Sequence, residues 1–332
     1  MVADGQLMDL TEWMNDLQLE DRSSLIDSFI AQPSIYEDDK MYSVPFIFDT
    51  WGVWYNRGWF HEENLEVPKD FEGWMASMKE IQEKEDIYPF VTTGMHPNYF
   101  LNGVLYSALG SEGGQALLHD IIYGKEGAWS SDAAVRVMEK VQEIRDTGFI
   151  DPGFAGINHT QSQMNFLLGK NAYIPVGFFL PNEMKDNTPE GFEFGFIPPP
   201  MNDRGKPQVL VPNTGNFGIA KEAKNPEAAR LFAEFVLSQD SMESLPELAG
   251  ALPNIAGIDV AANPNTPIHL KDVNEIVNDT DNIEVYSLPQ AMSNELLNPL
   301  GDALIAFMLE DIELEEFIER AETASENYRN SQ

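Results

Sequence analysis

The segment that most constrains the fold is 151–200, where signals for helices, strands and turns follow one another at short intervals. A polar stretch predicts a helix over 161–168, and Gly169 can end it because glycine adopts the left-handed conformation without strain. Residues 172–177 are apolar and predict a buried strand. Pro181 then stands where a short helix can begin. Helices and strands that alternate in this way predict an α/β fold.

Two aromatic residues and a polar pair follow the predicted strand. Phe178 and Phe179 come directly after it, and Asn182 and Glu183 stand in the short helix. Open α/β sheets bind their ligands at the carboxyl ends of strands, so this is a candidate binding site. Neighbouring strand residues point to opposite faces, so one phenylalanine is expected in the core and the other towards the ligand. Asn182 and Glu183 can reach a ligand or cap the helix.

The chain is long enough for two domains and is strongly acidic. It has 332 residues, of which 43% are hydrophobic, and 55 acidic against 20 basic residues give a net charge of −35. Such a surface repels nucleic acids and anionic membranes, which we therefore exclude as partners. The acidity indicates either a basic partner or the adaptation of an exported protein to high salt or alkaline medium. The even spread of the acidic residues favours adaptation.

Residue types that hold metals and cofactors are scarce or scattered. There is no cysteine, and the five histidines lack the spacing of a zinc site. Neither of the glycine-rich nucleotide-binding motifs is present, so we predict no cofactor and no metal site. The Asp-rich residues 278–282 lack the glycine and closing glutamate of an EF-hand loop, and calcium binding there is left open. No apolar run approaches the roughly 20 residues that cross a bilayer, and the first residues do not read as a signal peptide. We therefore predict no membrane insertion by this chain.

Three segments, in this order, resemble one protein family. Residues 40–57 are similar to a strand with the pattern G-K-x-Y-x-V-P…W-Y-N-K, and 217–235 to a strand and helix with I-x-K-x-x-K-N-P-E-A-A-x-x-F-x-x-F. Between them, 151–200 contains NEMKD, TP and GF in family order. The chain thus resembles the family 1 extracellular solute-binding proteins of carbohydrate ABC importers, in particular the branch associated with N-acetylglucosamine and chitobiose.

The resemblance implies a two-lobe fold of the periplasmic-binding-protein-like type II class, with a hinge between the lobes. It implies one lobe from 1–48 with 216–284 and another from 49–215 with 285–332, and chain crossings near 48–50, 213–215 and 284–289. A sugar would bind in the cleft, and hinge closure would trap it. Separately, the residues around 208–220 predict a strand pair about a turn.

The first residues resemble an internal part of the family pattern. Residues 2–11 match V-A-x-G-x-L-x-D-L-T, which in this family lies well inside the first lobe. We therefore expect an incomplete first lobe, with the first strands, the signal peptide and any lipid-anchor cysteine in a missing N-terminal segment. The implied location is extracellular or in the cell envelope, and the implied partners are a carbohydrate and the permease subunits of the transporter.

The candidate binding residues come from the strand ends, the loops and the crossings. By resemblance, Asp49 takes the place of an acidic ligand-binding residue, and the spacing of two predicts that Trp51 faces the same side. Trp51 can instead pack in the core and Tyr99 beneath a surface loop, and Asn213 and Asn216 can simply form a turn. The predicted ligand-binding residues are Asp49, Trp51, His96, Asn98, Tyr99, Phe178, Phe179, Asn182, Glu183, Asn213 and Asn216.

The sequence therefore predicts the sugar-binding component of an ABC importer, and not an enzyme. The alternative is a glycoside-processing enzyme that uses two carboxylates, such as Asp49 and Glu183. Family members commonly carry tryptophan where Phe178 and Phe179 stand, so the identity of the sugar stays open. A third hypothesis is a remnant that lacks its leading segment and binds nothing by itself.

Overall fold

The computed structural model describes residues 1–331 except 3, 20–22, 37, 86, 289 and 290. The chain forms two compact units. Unit 1 contains Met1–Thr50, Pro212–Thr280 and a short segment from Ser287, and unit 2 contains Trp51–Val211, Asp281–Tyr286 and the C-terminal part of the chain. The sequence predicted divisions after residues 48, 215 and 284. Residue 289, the end of the third predicted crossing, lies outside the described residues.

Unit 1 is built on a small antiparallel sheet in which β1 is the middle strand, between β6 and β7. Apolar residues from both chain segments form its core, including the fully buried Leu10, Met14 and Leu25. The elements of unit 1 are α1 (Thr11–Asp16), α2 (Leu25–Ser28), β1 (Val44–Phe48), β6 (Gly215–Phe217), α10 (Pro226–Val236), α11 (Gln239–Ala249), β7 (Leu252–Pro253) and α12 (Ile268–Asn278).

Unit 2 contains the remaining described strands and the longer helices. Its elements are β2 (Trp51–Asn56), α3 (Arg57–Glu62), α4 (Phe71–Glu85), α5 (Asn98–Phe100), a π-helix (Leu101–Leu105), α6 (Tyr106–Ile122), α7 (Asp132–Asp146), a 3-10 helix (Pro152–Gly156), α8 (His159–Leu167), β3 (Tyr173–Gly177), α9 (Leu180–Glu183), β4 (Phe194–Ile197), β5 (Gln208–Leu210), β8 (Ile283–Val285), α13 (Asn294–Met308) and α14 (Leu314–Ser331). Among these helices of the described chain, none is both long and apolar enough to cross a bilayer.

The sheet that positions the candidate site has β2 at its centre, antiparallel to β3 on one side and to β4 on the other. Trp54 of β2 is fully buried, and its indole Nε1 donates a hydrogen bond to the Val176 carbonyl oxygen at 3.0 Å. Its ring packs edge-on against Phe178 and Phe196. This aromatic core fixes the register of β2 and β3. The other two strands described in unit 2, β5 and β8, pair in parallel with each other.

Local sequence signals predicted several elements correctly. The structure confirms the helix at 161–168 as α8, which starts two residues earlier because Asn158 and Gln161 form a reciprocal capping box. Gly169 has φ +70, as the stop signal requires. The strand predicted at 172–177 is confirmed as β3.

The long strand that 40–57 suggested is interrupted. β1 ends at Phe48 and β2 begins at Trp51, and the two strands belong to different sheets. Between them, the Asp49 carbonyl oxygen accepts a hydrogen bond from the Asn213 amide at 2.7 Å. The prediction that Asp49 and Trp51 share one strand face is therefore wrong, because the period of two holds only within a continuous strand.

The strand pair predicted around the turn at 212–216 is also wrong. β5 pairs with β8 in unit 2, whereas β6 pairs with β1 in unit 1. The residues that resemble a hairpin turn instead connect the two units. Turn-forming residues fix only the local bend, and the strands found their partners elsewhere in the chain.

Candidate functional site

Three aromatic rings meet where β3 ends and β2 begins. The Trp51 ring centroid lies 4.9 Å from that of Tyr99 and 5.4 Å from that of Phe179, edge-on in both cases. Antiparallel pairing of Trp51 with Gly177 puts the first residue of β2 beside the end of β3. Trp51 is buried, whereas Tyr99 and Phe179 are partly exposed. We call these three residues the aromatic group.

Gly177 allows the rings of the aromatic group to come this close. A Cβ atom at position 177 would lie 2.6 Å from Cε1 of Phe179 and 3.2 Å from Cε2 of Trp51. The first distance is shorter than any ordinary van der Waals contact, so a larger residue would displace the Phe179 ring. The glycine is therefore required by the packing of the two rings.

Tyr99 is held in place by an irregular helix. The single turn of α5 continues into the π-helix Leu101–Leu105, a geometry that is rare and frequent at functional sites. Gly103 of this π-helix packs on β3 so closely that a Cβ atom would lie 2.6 Å from the Cβ of Pro175. This close approach brings Tyr99 to the carboxyl end of β3.

Polar side chains border the aromatic group on the side of Tyr99. The rings of Tyr99 and His159 are nearly parallel, at 22°, with centroids 6.0 Å apart. The ring centroids of His96 and His159 lie 5.2 Å apart. Glu183 accepts a hydrogen bond on Oε2 from Nε2 of Gln163 at 2.9 Å, and its Oε1 lies 3.8 Å from Nε2 of His159. We call His96, His159, Gln163 and Glu183 the polar border.

Gln163 brings an unused hydrogen-bonding atom to the polar border. Its side chain is fully buried, and among the described residues no group donates a hydrogen bond to its Oε1. An amide carbonyl has two acceptor positions, so it retains capacity for a donor. Sequence reasoning missed both Gln163 and His159. His159 precedes the helix predicted at 161–168; the available signal was its spacing of four from Gln163, because residues four apart share one helix face.

The electrostatic environment keeps the Tyr99 hydroxyl protonated. Burial and, to a lesser extent, the nearby Glu183 carboxylate raise the pKa of Tyr99 from 10.0 to about 12. Both effects disfavour the phenolate, since burial removes water from the charged form and the carboxylate repels it. Tyr99 therefore offers a hydroxyl group that can donate and accept a hydrogen bond well above neutral pH.

The two phenylalanines after β3 differ in burial. Phe178 is 4% exposed and packs between Trp54 and Phe196, with its centroid 4.8 Å from that of Phe196. Phe178 therefore belongs to the core, and Phe179 is the ring that joins the aromatic group. The core position of one of the two rings agrees with the expectation from strand alternation, although both phenylalanines stand among the predicted ligand-binding residues.

The other predicted residues of unit 2 stand close to Tyr99 and Phe179 in the sequence. Asn98 is partly exposed at the start of α5, and Asn182 is exposed in α9. The N-cap of α9 is Phe179, and its last residue is Glu183. Neither Asn182 nor Glu183 therefore caps this helix, and the Glu183 carboxylate instead binds the Gln163 amide.

Three predicted residues lie in unit 1. Asp49 is partly exposed, and Asn213 and Asn216 are exposed. Asn216 Nδ2 donates to the carbonyl oxygen of Thr214 at 2.7 Å, as expected of a turn. The close backbone approach at Gly215 is to Ile47 of β1, whose Cβ would lie 2.8 Å from an added Cβ. Their role in ligand binding stays a prediction.

The chemistry of these groups suits a polyhydroxylated ligand. Partly exposed rings offer a flat apolar surface, and carboxylate, amide and phenol groups can bond hydroxyls. Across the described part of the chain, no group of three or more His, Asp or Glu side chains is arranged to hold a metal ion. The site therefore offers stacking and hydrogen bonds.

A family match identifies the class of protein that carries this site. The family model for bacterial extracellular solute-binding proteins matches residues 1–243, which include the aromatic group and the polar border. The chain belongs to this family.

Two curated relatives of this chain are named for the sugars that they bind. The chain is 25% identical to the diacetylchitobiose-binding protein NgcE of Streptomyces coelicolor over 63% of its own length and 45% of the relative's. It is 22% identical to the multiple sugar-binding protein of Streptococcus mutans over 70% of its own length and 55% of the relative's. The chain thus spans about half the length of these relatives.

Solved structures show the same fold. A chitin oligosaccharide-binding protein superposes with a TM-score of 0.73 at 18% identity, covering 100% of this chain and 81% of the other. The apo form of RafE from Streptococcus pneumoniae superposes with a TM-score of 0.74 at 19% identity, covering 98% and 80%. The chain therefore has the periplasmic-binding-protein-like fold with mixed helices and sheets. The family comprises transporter binding proteins and not enzymes, so the glycoside-processing alternative is not retained.

Proposed function

We propose that this family member binds a sugar with the aromatic group and the polar border of unit 2. The observation that carries the proposal is the edge-on packing of Trp51 against both Tyr99 and Phe179 beside the Glu183–Gln163 hydrogen bond. A sugar ring carries C–H groups on its face and hydroxyls at its edge. A site for it therefore needs a rigid, partly exposed aromatic ring next to oriented hydrogen-bond acceptors.

Each side chain has a distinct part in the proposed complex. Phe179 stacks on the apolar face of the sugar, and buried Trp51 supports the Phe179 ring from behind. Glu183 accepts hydrogen bonds from hydroxyls, and Gln163 orients the Glu183 carboxylate. The Tyr99 hydroxyl can donate or accept. Charge-assisted hydrogen bonds such as those to Glu183 are about twice as strong as neutral ones.

N-Acetylglucosamine or chitobiose is the ligand that we propose first. Its support is the resemblance of 151–200 to the N-acetylglucosamine and chitobiose branch and the name of the NgcE relative. The relative named for multiple sugars makes a second sugar class an outcome of the same test. From the family resemblance we further propose that Asp49, Asn213 and Asn216 add polar contacts to the sugar, and that hinge closure traps it.

The proposed cellular role is delivery of the sugar to the permease of an ABC importer, outside the cell or in its envelope. Membership of the extracellular solute-binding family supports this role. The permease subunits and any lipid anchor on a longer N-terminus stay proposals.

The experiment is a thermal-shift scan against mono- and disaccharides, including N-acetylglucosamine and chitobiose. A sugar at 100 times its Kd stabilises the folded protein by about 2.7 kcal/mol, which is a measurable rise in Tm. The Phe179→Ala variant is expected to lose at least tenfold in affinity, or about 1.4 kcal/mol, by isothermal titration calorimetry. Glu183→Gln should weaken binding without moving the Tm of the free protein by more than a degree or two.

A matched control separates stacking from general damage. Tyr88 is an aromatic residue of unit 2 that is 44% exposed and lies outside the aromatic group. Tyr88→Ala should bind the sugar as tightly as the unaltered protein. If Phe179→Ala and Tyr88→Ala bind with equal affinity, the aromatic group is not the sugar site. If the protein melts cooperatively and no sugar raises its Tm, the proposal that this chain binds a sugar is wrong.

A further inference from the structure

The sheet of β2, β3 and β4 has a cavity at the end opposite to the aromatic group. The aromatic group lies where β3 ends at Gly177, whereas the cavity is lined by Ala172, directly before β3, and by Asn56 at the end of β2. A strand rises about 3.3 Å per residue, so the length of β3 separates the two places by roughly 17 Å. We call this the second cavity, and its described walls come from the segments 56–62, 166–172 and 189–192 and from Ile87.

Packing between distant segments of unit 2 forms the second cavity. Trp59 and Glu62 are three positions apart in α3, so both lie on one face of this helix. The Asn56 side chain accepts a hydrogen bond from the Trp59 amide at 3.2 Å and fixes the start of the helix. The rings of Phe166 and Phe192 meet edge-on with centroids 5.4 Å apart, which joins the end of α8 to the turn before β4. The cavity is therefore shaped by the tertiary structure of unit 2.

Asn171 brings a hydrogen-bond acceptor without a donor to the wall of the second cavity. Its side chain is 3% exposed, and its Nδ2 donates to the Tyr88 carbonyl oxygen at 2.8 Å, which fixes the orientation of the amide. Among the described residues no group donates a hydrogen bond to its Oδ1. Buried polar atoms of native proteins nearly always have a partner. This oxygen therefore needs a donor that the described part of the chain does not supply.

The charge of the second cavity is negative. Glu62 and Glu190 both line it and are exposed, so their carboxylates stand at its rim. Among the described lining residues there is no Lys, Arg or His. Arg57 and Lys170, which lie next to the lining in the sequence, form hydrogen bonds to other side chains of unit 2. Two carboxylates around a cavity without basic groups in its lining attract a cation.

We propose that the second cavity binds a small organic amine in its ammonium form, with an apolar or aromatic body. An ammonium group has three hydrogen-bond donors and no acceptor, which matches the Asn171 Oδ1 and the carboxylates of Glu62 and Glu190. The ring of Trp59 is partly exposed and attracts a cation over its face. The apolar body of the ligand packs against Phe192 and the other apolar residues of the lining.

The size and the polar groups of the second cavity narrow the class of ligand. Its volume of about 350 Å³ is near the lower end of the range for ligand pockets, which suits a small molecule. A polyhydroxylated ligand fits less well, because its hydroxyls also need donors and the charged groups of this lining only accept hydrogen bonds. The second cavity therefore differs in chemistry, as well as in place, from the proposed sugar site.

Isothermal titration calorimetry with phenethylamine tests the proposal, and phenethyl alcohol is the neutral probe of similar shape. A primary amine is protonated at neutral pH, as the lysine side chain is. At low ionic strength we expect one amine to bind per chain with a Kd of about 1 mM or lower, and the alcohol to bind at least about tenfold more weakly.

Paired double variants locate the bound amine. Glu62→Gln with Glu190→Gln removes both rim charges and should weaken amine binding at least about tenfold, because charge-assisted hydrogen bonds are lost. The control is Glu63→Gln with Glu66→Gln, which changes the net charge equally at two exposed residues outside the lining. Its amine affinity should stay within about twofold of the unaltered protein. Asn171→Ala should also weaken binding, and circular dichroism establishes that each variant is folded.

Three results would overturn the proposal. The first is the absence of amine binding, or binding of the alcohol as tight as that of the amine. The second is an equal loss of affinity in the two double variants, which would assign the amine to the general charge of the surface. The third is a tenfold loss in Phe179→Ala, which would place the amine at the sugar site. The expected result is that Phe179→Ala binds the amine as the unaltered protein does, so this test is independent of the proposed sugar binding.

Discussion

Gly177 is the residue on which the shape of the aromatic group most depends. An added Cβ atom would lie 2.6 Å from the Phe179 ring and 3.2 Å from that of Trp51. We expect Gly177→Ala to displace Phe179 and to weaken sugar binding at least tenfold, or by about 1.4 kcal/mol. Calorimetry measures the affinity, and tryptophan fluorescence reports the changed surroundings of the Trp51 indole, which the Phe179 ring contacts.

Gly156 is the matched control for Gly177. No heavy atom lies within 4 Å of an added Cβ at Gly156 in the 3-10 helix Pro152–Gly156. Gly156→Ala should therefore leave sugar affinity unchanged and alter the free energy of unfolding by less than about 1 kcal/mol. An unchanged affinity in Gly177→Ala would show that the Phe179 ring position does not matter for binding.

The Tyr99 hydroxyl is expected to ionise at a higher pH than the hydroxyl of an ordinary tyrosine. Burial and Glu183 raise its pKa to about 12, whereas a tyrosine in the unfolded chain ionises near 10. The stabilising contribution of this pKa shift is thus complete below about pH 10 and is lost as the pH rises through about 12. Subtracting the phenolate absorbance titration of Tyr99→Phe from that of the unaltered protein should leave one transition near pH 12. A midpoint near pH 10 in the folded protein would contradict the predicted environment.

The π-helix Leu101–Leu105 packs on β3 through the glycine in its middle. A Cβ at Gly103 would lie 2.6 Å from Cβ and 3.2 Å from Cα of Pro175, and the backbone of β3 cannot easily move. We expect Gly103→Ala to reduce the free energy of unfolding by about 1–3 kcal/mol in urea denaturation. In Gly73→Ala of α4 the nearest atom is an Asp70 carboxylate oxygen, so little loss is expected there. Similar costs at both positions would contradict the tight packing on β3.

The two sides of α10 should respond differently to truncation. Leu237, just beyond the helix, is 3% exposed in the unit 1 core, so Leu237→Ala is expected to cost about 2–5 kcal/mol. Phe235 is 65% exposed, so Phe235→Ala in the 332-residue chain should cost less than about 1 kcal/mol. Denaturant unfolding measures both. A large cost of Phe235→Ala would contradict the exposure of its ring.

The net charge of −35 makes the stability of the whole molecule dependent on salt. Like charges repel one another most in the compact state, and the Debye length falls from about 30 Å at 0.01 M to about 3 Å at 1 M ionic strength. We expect Tm to rise by at least about 3 °C, or roughly 1 kcal/mol, between these conditions. Calorimetry in sodium chloride and in choline chloride should give the same rise, and an unchanged Tm would show that self-repulsion is negligible.

Sequence reasoning predicted the parts of the fold that depend on neighbours in the chain. The α8 helix and its end at Gly169 follow from hydrogen bonds between residues at most a few positions apart. The same holds for β3, for which a run of apolar residues was sufficient. The three segments that resemble the family are also visible in the sequence, and the family match confirms the resemblance.

Only the tertiary structure decided which of the candidate residues meet. The break at Asp49 between β1 and β2, and the different partners of β5 and β6, depend on pairings with strands far away in the sequence. Likewise, the joining of His159 and Gln163 to Glu183 follows from the way α8 and α9 pack, which no local pattern reports. The sequence determined the elements and the family, because short-range hydrogen bonds and apolar periodicity specify them. The site was decided by contacts between distant residues, whose free energy appears only when the chain is folded.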